Sequence, residues 1–172
     1  MQLQAYAIPA RPTAAPWQPT VLDADLNAMH NHWMVDLDGD GKTDVLTASQ
    51  EGVFLLQRDA GGAFRKQKLS DGAPGPDAPQ QRGAGEIRVG KLKGGAPFIV
   101  TVEPMHGSAV VVYTRPPAGE TLWTRHVIDD TLKRGHAIGV ADMDQDGTDE
   151  LIIGHSDKGT GAVTGPGVFM YR

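Results

Sequence analysis

The sequence contains the same acidic motif twice. The first copy, DLDGDGKTD, begins at Asp36, and the second, DMDQDGTDE, begins at Asp142. The offset of 106 residues between them also aligns His30 with His136. A chain that is similar to itself at a fixed offset is built from repeated structural units, so this repeat constrains the fold more than any other feature.

The spacing of the acids within each motif indicates a bound cation. Both motifs place acids at relative positions 1, 3, 5 and 9. Carboxylates this close repel one another unless a cation lies among them, and oxygen ligands at alternate positions suit Ca²⁺. A helix-loop-helix calcium loop is excluded for the first copy, because its twelfth position is Thr47 rather than an acid. A simple Asp-Gly turn between strands would need only one aspartate. The predicted calcium ligands are Asp36, Asp38, Asp40, Lys42 and Asp44 in the first loop and Asp142, Asp144, Asp146, Thr148 and Glu150 in the second.

A weaker third copy lies between the two acidic ones. The segment EIRVGKLKGGAPFIVTVEPMHG has the same succession of apolar runs, but Lys91 and Lys93 stand where the acids would be. We expect this copy to keep the fold without the ion. In every copy, short apolar strands are separated by Gly, Asp and Pro turns, with no helical period.

Four antiparallel strands that recur about every 50 residues are typical of β-propeller blades. We therefore predict an all-β fold of about three four-stranded antiparallel blades in a single domain, residues 1–172. The predicted blades span residues 17–58, 64–115 and 123–172.

Three blades are too few to close a propeller, which usually has 4 to 8. Strands left at an open edge pair readily with other chains. Two alternatives follow: the chain is a piece of a longer propeller, or two chains complete one ring by self-association. The number of blades favours the first alternative, a piece of a longer propeller.

Composition excludes several classes of partner. The net charge of −5 gives no basic surface for nucleic acid. No apolar run approaches the ~20 residues of a membrane span, and the N-terminal stretch lacks the basic and apolar regions of a signal peptide. The absence of cysteine excludes disulfides and thiol chemistry and leaves the compartment open.

Topology places the acids and most histidines on opposite sides of such a fold. In a four-stranded meander, loops between the first and second strands lie on one side, while the remaining loops lie on the other. Five of the six histidines fall on the second side and are expected at the mouth of the central channel: His30, His32, His106, His136 and His155. The structural alternative is that His30 and His136, as equivalent residues, only hydrogen-bond a neighbouring blade's backbone.

Two families are suggested by longer segments. VDLDGDGKTDVLTAS and VADMDQDGTDELIIG resemble the FG-GAP/VCBS repeats of integrin-α-like propellers, in which this loop binds calcium. The segments HNHWMVDLDGDG, VEPMHGSAVVVYT, RHVIDDTLKRGHAIGVADMDQDG and GPGVFMY are similar to the propeller domain of aldos-2-ulose dehydratase-like proteins. The first resemblance implies an extracellular or periplasmic location.

The second resemblance implies an enzyme, a carbohydrate lyase or dehydratase. Histidines at the channel mouth would then bind a second divalent metal or act as a general base beside a sugar carbonyl. The candidate catalytic residues are His32, His106 and His136, with Glu103 as a helper. The alternative is a non-catalytic scaffold or adhesion module, stabilised by calcium, that binds a protein or a glycan.

Overall fold

The computed structural model describes residues 2–78, 81–161 and 164–172, and these ranges contain thirteen β-strands. The strands are β1 Leu3–Tyr6, β2 Pro19–Asp23, β3 Asn31–Val35, β4 Asp44–Ser49, β5 Gly52–Arg58, β6 Phe64–Ser70, β7 Ile87–Lys91, β8 Pro97–Glu103, β9 Ala109–Thr114, β10 Thr124–Asp129, β11 Gly135–Ala141, β12 Glu150–His155 and β13 Gly167–Tyr171. No helix occurs in the described ranges, and none of the kind that could cross a membrane was found there.

The strands form antiparallel sheets in chain order, which confirms the predicted all-β blade architecture. Blade 1 consists of β3–β6, blade 2 of β7–β10 and blade 3 of β11–β13, while β1 pairs with β2 alone. The sheets thus cover residues 31–70, 87–129 and 135–171, about one strand later than the predicted unit bounds of 17–58, 64–115 and 123–172. The difference arises because β2 and β10 pair with the strands before them.

The core lies between the faces of successive blades. Leu46 and Ile99 belong to the apolar cluster between blades 1 and 2, and Val100 and Ile153 belong to the cluster between blades 2 and 3. A third cluster joins the β1–β2 pair to the other face of blade 1. Because neighbouring residues of a strand point to opposite faces, a middle strand packed on both faces is buried throughout, and all six residues of β4 are buried.

The connections between strands form two loop faces. The β3–β4 and β11–β12 loops, which carry the two acidic motifs, follow the first strand of their blades. The β8–β9 turn and the connections that lead from one blade to the next emerge at the opposite ends of the strands. This connectivity separates the acids from the region around His30 and His136.

Replacing Leu46 by alanine tests the packing between blades 1 and 2. Leu46 is fully buried, so we expect the variant to lose about 3 kcal/mol of unfolding free energy, through lost burial and the cavity left behind. Urea denaturation gives the value. Met34→Ala is the control, since Met34 is 66% exposed and should change stability by less than about 0.5 kcal/mol. Equal effects of the two substitutions would contradict this packing.

Candidate metal and ligand site

Three histidines from different parts of the chain meet on the loop face opposite the acids. His30, His106 and His136 each offer a ring nitrogen, and these nitrogens lie within 4.8 Å of one another. The ring centroids are 4.5 Å apart for His30 and His106, 4.9 Å for His106 and His136, and 5.3 Å for His30 and His136. We call these three residues the histidine cluster.

A buried carboxylate completes the cluster. Glu86, only 3% exposed, places Oε1 3.3 Å from His30 Nδ1 and 3.1 Å from His136 Nδ1. Its Oε2 accepts a hydrogen bond from the Asn31 side chain. The backbone just before Glu86 is hydrogen-bonded to two blades. Ala84 N donates to a backbone carbonyl of blade 1, and the N–H of the following residue donates to a backbone carbonyl of blade 2. Blades 1 and 2 therefore position the carboxylate together.

Several residues around the cluster have a left-handed backbone conformation, which residues other than glycine rarely adopt. His106 has φ = 54°, and Ala137, directly after His136, has φ = 55°. Ala28 and Arg134, at equivalent positions two residues before His30 and His136, have φ values of 42° and 54°. Such left-handed residues cost roughly 1–3 kcal/mol each and persist where the surroundings hold them, often at functional sites.

The electrostatics of the cluster favour a neutral ring at His106. Burial lowers the pKa of His106, and the charges of His30 and His136 lower it further. A neutral imidazole keeps a lone pair on one nitrogen, which is the form that binds metals. Within the described residues, His106 Nε2 is buried without a hydrogen-bond partner, and His30 Nδ1 lies near Glu86 without hydrogen-bond alignment. Three imidazoles and a carboxylate without full pairing are a donor set that suits Zn²⁺ or a similar ion.

The candidate catalytic residues divide into two groups. His106 and His136 lie in the cluster, together with His30, which is not one of the candidate catalytic residues. His32 is exposed on β3 and lies outside it. Glu103 is fully buried within blade 2, where it forms an ion pair of 2.8 Å with Arg125 and accepts a hydrogen bond of 2.8 Å from Thr101.

Among the described contacts, the Glu103 carboxylate is thus paired within blade 2 and with none of the histidines. Strand residues point alternately to opposite faces, so Glu103 shares the face of Thr101, whose hydroxyl it binds. Tyr113 also donates to Glu103, and burial together with this carboxylate raises the pKa of the tyrosine. The carboxylate that meets the histidines is Glu86, which directly follows a Gly/Pro-rich insertion, residues 70–85, and is the first residue of the weaker third copy.

The acidic loops have the same internal geometry in both copies. The carboxylates of Asp36, Asp38 and Asp40 offer oxygens within 4.8 Å of one another, and so do those at positions 142, 144 and 146. The Asp36 carboxylate accepts backbone N–H groups from Gly39 at 2.8 Å and from Gly41 at 2.9 Å. In the second loop, the Asp142 carboxylate accepts the backbone N–H groups of residues 146 and 147, at 3.1 Å each. Each loop is thus wrapped around its first aspartate.

The last acid of each loop is buried. Asp44 is 2% exposed and accepts the N–H of Leu37 at 3.2 Å, and Glu150 is 4% exposed and accepts that of Met143 at 2.8 Å. Burial, with the nearby carboxylates at positions 38 and 40, raises the pKa of Asp44.

Position 7 differs between the two loops. The Lys42 ammonium lies 2.5 Å from Asp40 Oδ2, whereas the second loop has Thr148, which has no cationic group. In both copies the backbone amide of this residue donates to the third aspartate, at 2.8 and 2.7 Å.

These features define a class: a β-propeller segment with a histidine–carboxylate cluster on one loop face and acidic loops on the other. Comparison with known proteins identifies the family. The model of the aldos-2-ulose dehydratase β-propeller domain matches residues 3–116. The aldos-2-ulose dehydratase of Phanerodontia chrysosporium is 30% identical over 151 residues, which cover 80% of this chain and 17% of that protein. The chain belongs to the aldos-2-ulose dehydratase β-propeller family, and it spans a small part of this relative's length.

The burial of Glu103 predicts a structural rather than a catalytic defect when its charge is removed. Glu103→Gln leaves the Arg125 guanidinium without its buried partner, so we expect a loss of about 2 kcal/mol in unfolding free energy. The ring signals of the histidine cluster should keep their NMR chemical shifts. Glu120→Gln, at an exposed position, is the control and should change neither quantity. Shifted histidine signals with unchanged stability would show that Glu103 acts on the cluster.

Proposed function

We propose that this chain supplies a metal-centred, sugar-binding part of an aldos-2-ulose dehydratase-like propeller. The observation that carries the proposal is the convergence of the histidine cluster with Glu86. Three ring nitrogens from separate segments lie within 4.8 Å of one another, a buried carboxylate oxygen lies 3.1 Å from one of the rings, and two of the ring nitrogens have no hydrogen-bond partner among the described residues. A divalent transition-metal ion would pair with every one of these groups.

The distances support this fit. Ligand atoms about 2.1 Å from a common ion lie roughly 3.0 to 3.4 Å from one another. Glu86 Oε1 lies 3.1 and 3.3 Å from the Nδ1 atoms of His136 and His30. His30, His106 and His136 would be the nitrogen ligands, and Glu86 would either bind the ion or hold the rings that do.

A hydroxylated carbonyl compound suits such a centre. An aldos-2-ulose, the substrate class in the relative's name, has a carbonyl next to hydroxylated carbons. A bound metal ion would polarise that carbonyl and acidify the neighbouring C–H. The chain's own contribution would be to orient the rings, because a single oxygen of the buried Glu86 lies 3.3 Å from His30 Nδ1 and 3.1 Å from His136 Nδ1.

We propose a structural role for calcium in the two acidic loops. The second loop is joined to blade 2, since Lys91 N donates to Asp149 Oδ2 at 2.7 Å and Asp149 N donates to Lys91 O at 2.9 Å. The first loop is joined to blade 2 through Arg115, which donates to the Leu37 carbonyl. An ion that fixes these loops would hold adjacent blades in register. It would lie on the face opposite the histidines.

The same contacts favour a second candidate function, a non-catalytic scaffold that binds a protein or glycan. In that case calcium would stabilise the blades, and the histidine cluster would bind neither metal nor sugar. The two candidates therefore differ in one measurable property, which is metal-dependent binding of a keto-sugar. Isothermal titration with a hexos-2-ulose, in the presence and absence of Zn²⁺, measures that property.

Removal of one cluster histidine tests the metal centre. His106→Ala should weaken Zn²⁺ binding at least tenfold, because it deletes one of three nitrogen ligands. Glu86→Gln should weaken it by about 10- to 100-fold, the range for residues that orient or complete a site. Metal competition with a chromophoric chelator gives both affinities.

The control for this experiment is His126→Ala. This ring is on β10, 3.0 Å from Thr114 Oγ1, and is not part of the cluster. Unchanged Zn²⁺ affinity in His106→Ala would overturn the metal proposal. Equal losses in His126→Ala would show that the effect is not specific to the cluster.

A charge-removing substitution tests the calcium loops. Asp144→Asn keeps an oxygen that can accept the Asp146 N–H but removes one of several crowded negative charges. With chelator present, we expect a melting temperature equal to or slightly above that of the parent, because like-charge repulsion falls. With calcium present, we expect a lower one, because the stabilisation gained from the ion falls with its affinity. Differential scanning calorimetry in both conditions measures the difference; identical calcium responses in parent and variant would count against an ion in this loop.

A further inference from the structure

The segment that leads to His30 is hydrogen-bonded to β4 and to the turn that follows it. His30 N donates to the Ala48 carbonyl at 3.1 Å, and Gln50 N donates to the Asn27 carbonyl at 3.2 Å. Between these two contacts lies Ala28, whose φ of 42° is in the left-handed region that residues other than glycine rarely adopt. The backbone is thus held on both sides of a residue that would favour another conformation.

Glu51, in the turn between β4 and β5, adds a side-chain contact to this segment. Its Oε2 accepts the backbone N–H of Asn27 at 3.0 Å, and its Oε1 accepts an N–H of the Asn27 side-chain amide, also at 3.0 Å. The Ser49 hydroxyl donates to Oε2 at 2.9 Å. Burial raises the pKa of Glu51, but the hydrogen bonds from Asn27 and Ser49 outweigh it and lower the pKa overall. The ionised carboxylate therefore holds Asn27, three residues before His30, with both of its oxygens.

The equivalent turn of blade 3 holds its segment more loosely. The 106-residue offset aligns Glu51 with Asp157 and Asn27 with Lys133. A backbone contact is present there as well, since Asp157 N donates to the Lys133 carbonyl at 3.3 Å. The Asp157 carboxylate, however, lies 3.9 Å from Arg134 Nε, which is too long for a hydrogen bond. In the part of the chain that the structure describes, a carboxylate thus holds the segment before His30 but not the one before the equivalent histidine of blade 3.

We propose that Glu51 is a positioning residue for the histidine cluster. By holding Asn27 with both oxygens, it keeps Ala28 in the left-handed conformation and thereby places the His30 ring beside His106. Glu51 does not touch the cluster and acts only through the backbone between residues 27 and 30. The inference rests on the proposed function, because the ring that Glu51 places would be a ligand of the metal centre.

Loss of this contact would lower metal affinity through the population of the correct conformation. Without the carboxylate, the segment can relax from the left-handed conformation at Ala28, and the His30 ring leaves the cluster in part of the molecules. The apparent affinity of a ligand falls by the fraction of molecules that can bind it. If about a tenth of the molecules keep the ring in place, Zn²⁺ binds about tenfold more weakly.

Glu51→Gln tests the contact with little change of shape. Glutamine has one acceptor oxygen in place of two, so its NH₂ group would face a donor of Asn27 or Ser49. We expect Zn²⁺ affinity to fall about tenfold in competition with a chromophoric chelator. Asp157→Asn is the matched control, because it removes the same charge at the equivalent position, where the carboxylate holds no segment; it should change the affinity by less than about twofold.

The backbone step has a test of its own in Ala28→Gly. Glycine adopts a left-handed φ without steric cost, so this change, added to Glu51→Gln, should restore part of the Zn²⁺ affinity. Ala24→Gly, at an exposed position of the same segment, is the control and should restore none. A double variant with Ala28→Gly that regains no affinity would overturn the proposal that Glu51 acts through this residue.

NMR of the metal-free protein separates this inference from the proposed function. In Glu51→Gln, the ring signals of His30 should shift or broaden, while those of His126, on the outer strand β10, should stay unchanged. Unchanged His30 signals together with unchanged Zn²⁺ affinity overturn the role of Glu51 and leave the metal centre standing, even if the melting temperature falls. An equal loss of affinity in Asp157→Asn also overturns it. If the parent protein binds no Zn²⁺, the metal centre fails, and the His30 signals alone decide whether Glu51 places the ring.

Discussion

Packing of each blade's face against the next is the interaction on which the rest of the structure depends. Two apolar clusters, one on each side of blade 2, fix the three blades relative to one another. The histidines of the cluster come from segments attached to all three blades: His30 leads into blade 1, His106 is in a turn of blade 2, and His136 is in the first strand of blade 3. These segments are far apart in the sequence. The site exists only because the sheet faces are buried together.

The two loop faces concentrate different kinds of ligand atom. One face offers carboxylate oxygens in two acidic loops, which suit a hard cation with many oxygen ligands. The other offers imidazole nitrogens and one buried carboxylate on a constrained backbone, which suit a smaller transition-metal ion. The strands separate the two sets. The strands would therefore keep the two proposed metals apart.

Sequence reasoning found the parts of the structure that repeat. The 106-residue offset located the blades and both acidic loops, and it made His30 and His136 equivalent. It could not find Glu86, because this residue follows an insertion that has no counterpart in the other copies. It also could not show that Glu103 pairs with Arg125, because strand alternation decides which face a side chain occupies, and a shift of one residue reverses that face. His32 shows the same limit: it is two residues from His30 but lies outside the cluster.

The position of Glu86 has a consequence for how such a centre arises. Duplication of a blade unit copies its histidine, so two ligands come from one ancestral position. The carboxylate between them directly precedes the first strand of blade 2, as His30 directly precedes that of blade 1, so it stands at the matching position of the weaker copy. Repetition supplies groups at matched positions, and one copy that carries a different residue there turns the set into an asymmetric site. Divergence of function in this fold can therefore occur through its inter-blade connections while the strands stay the same.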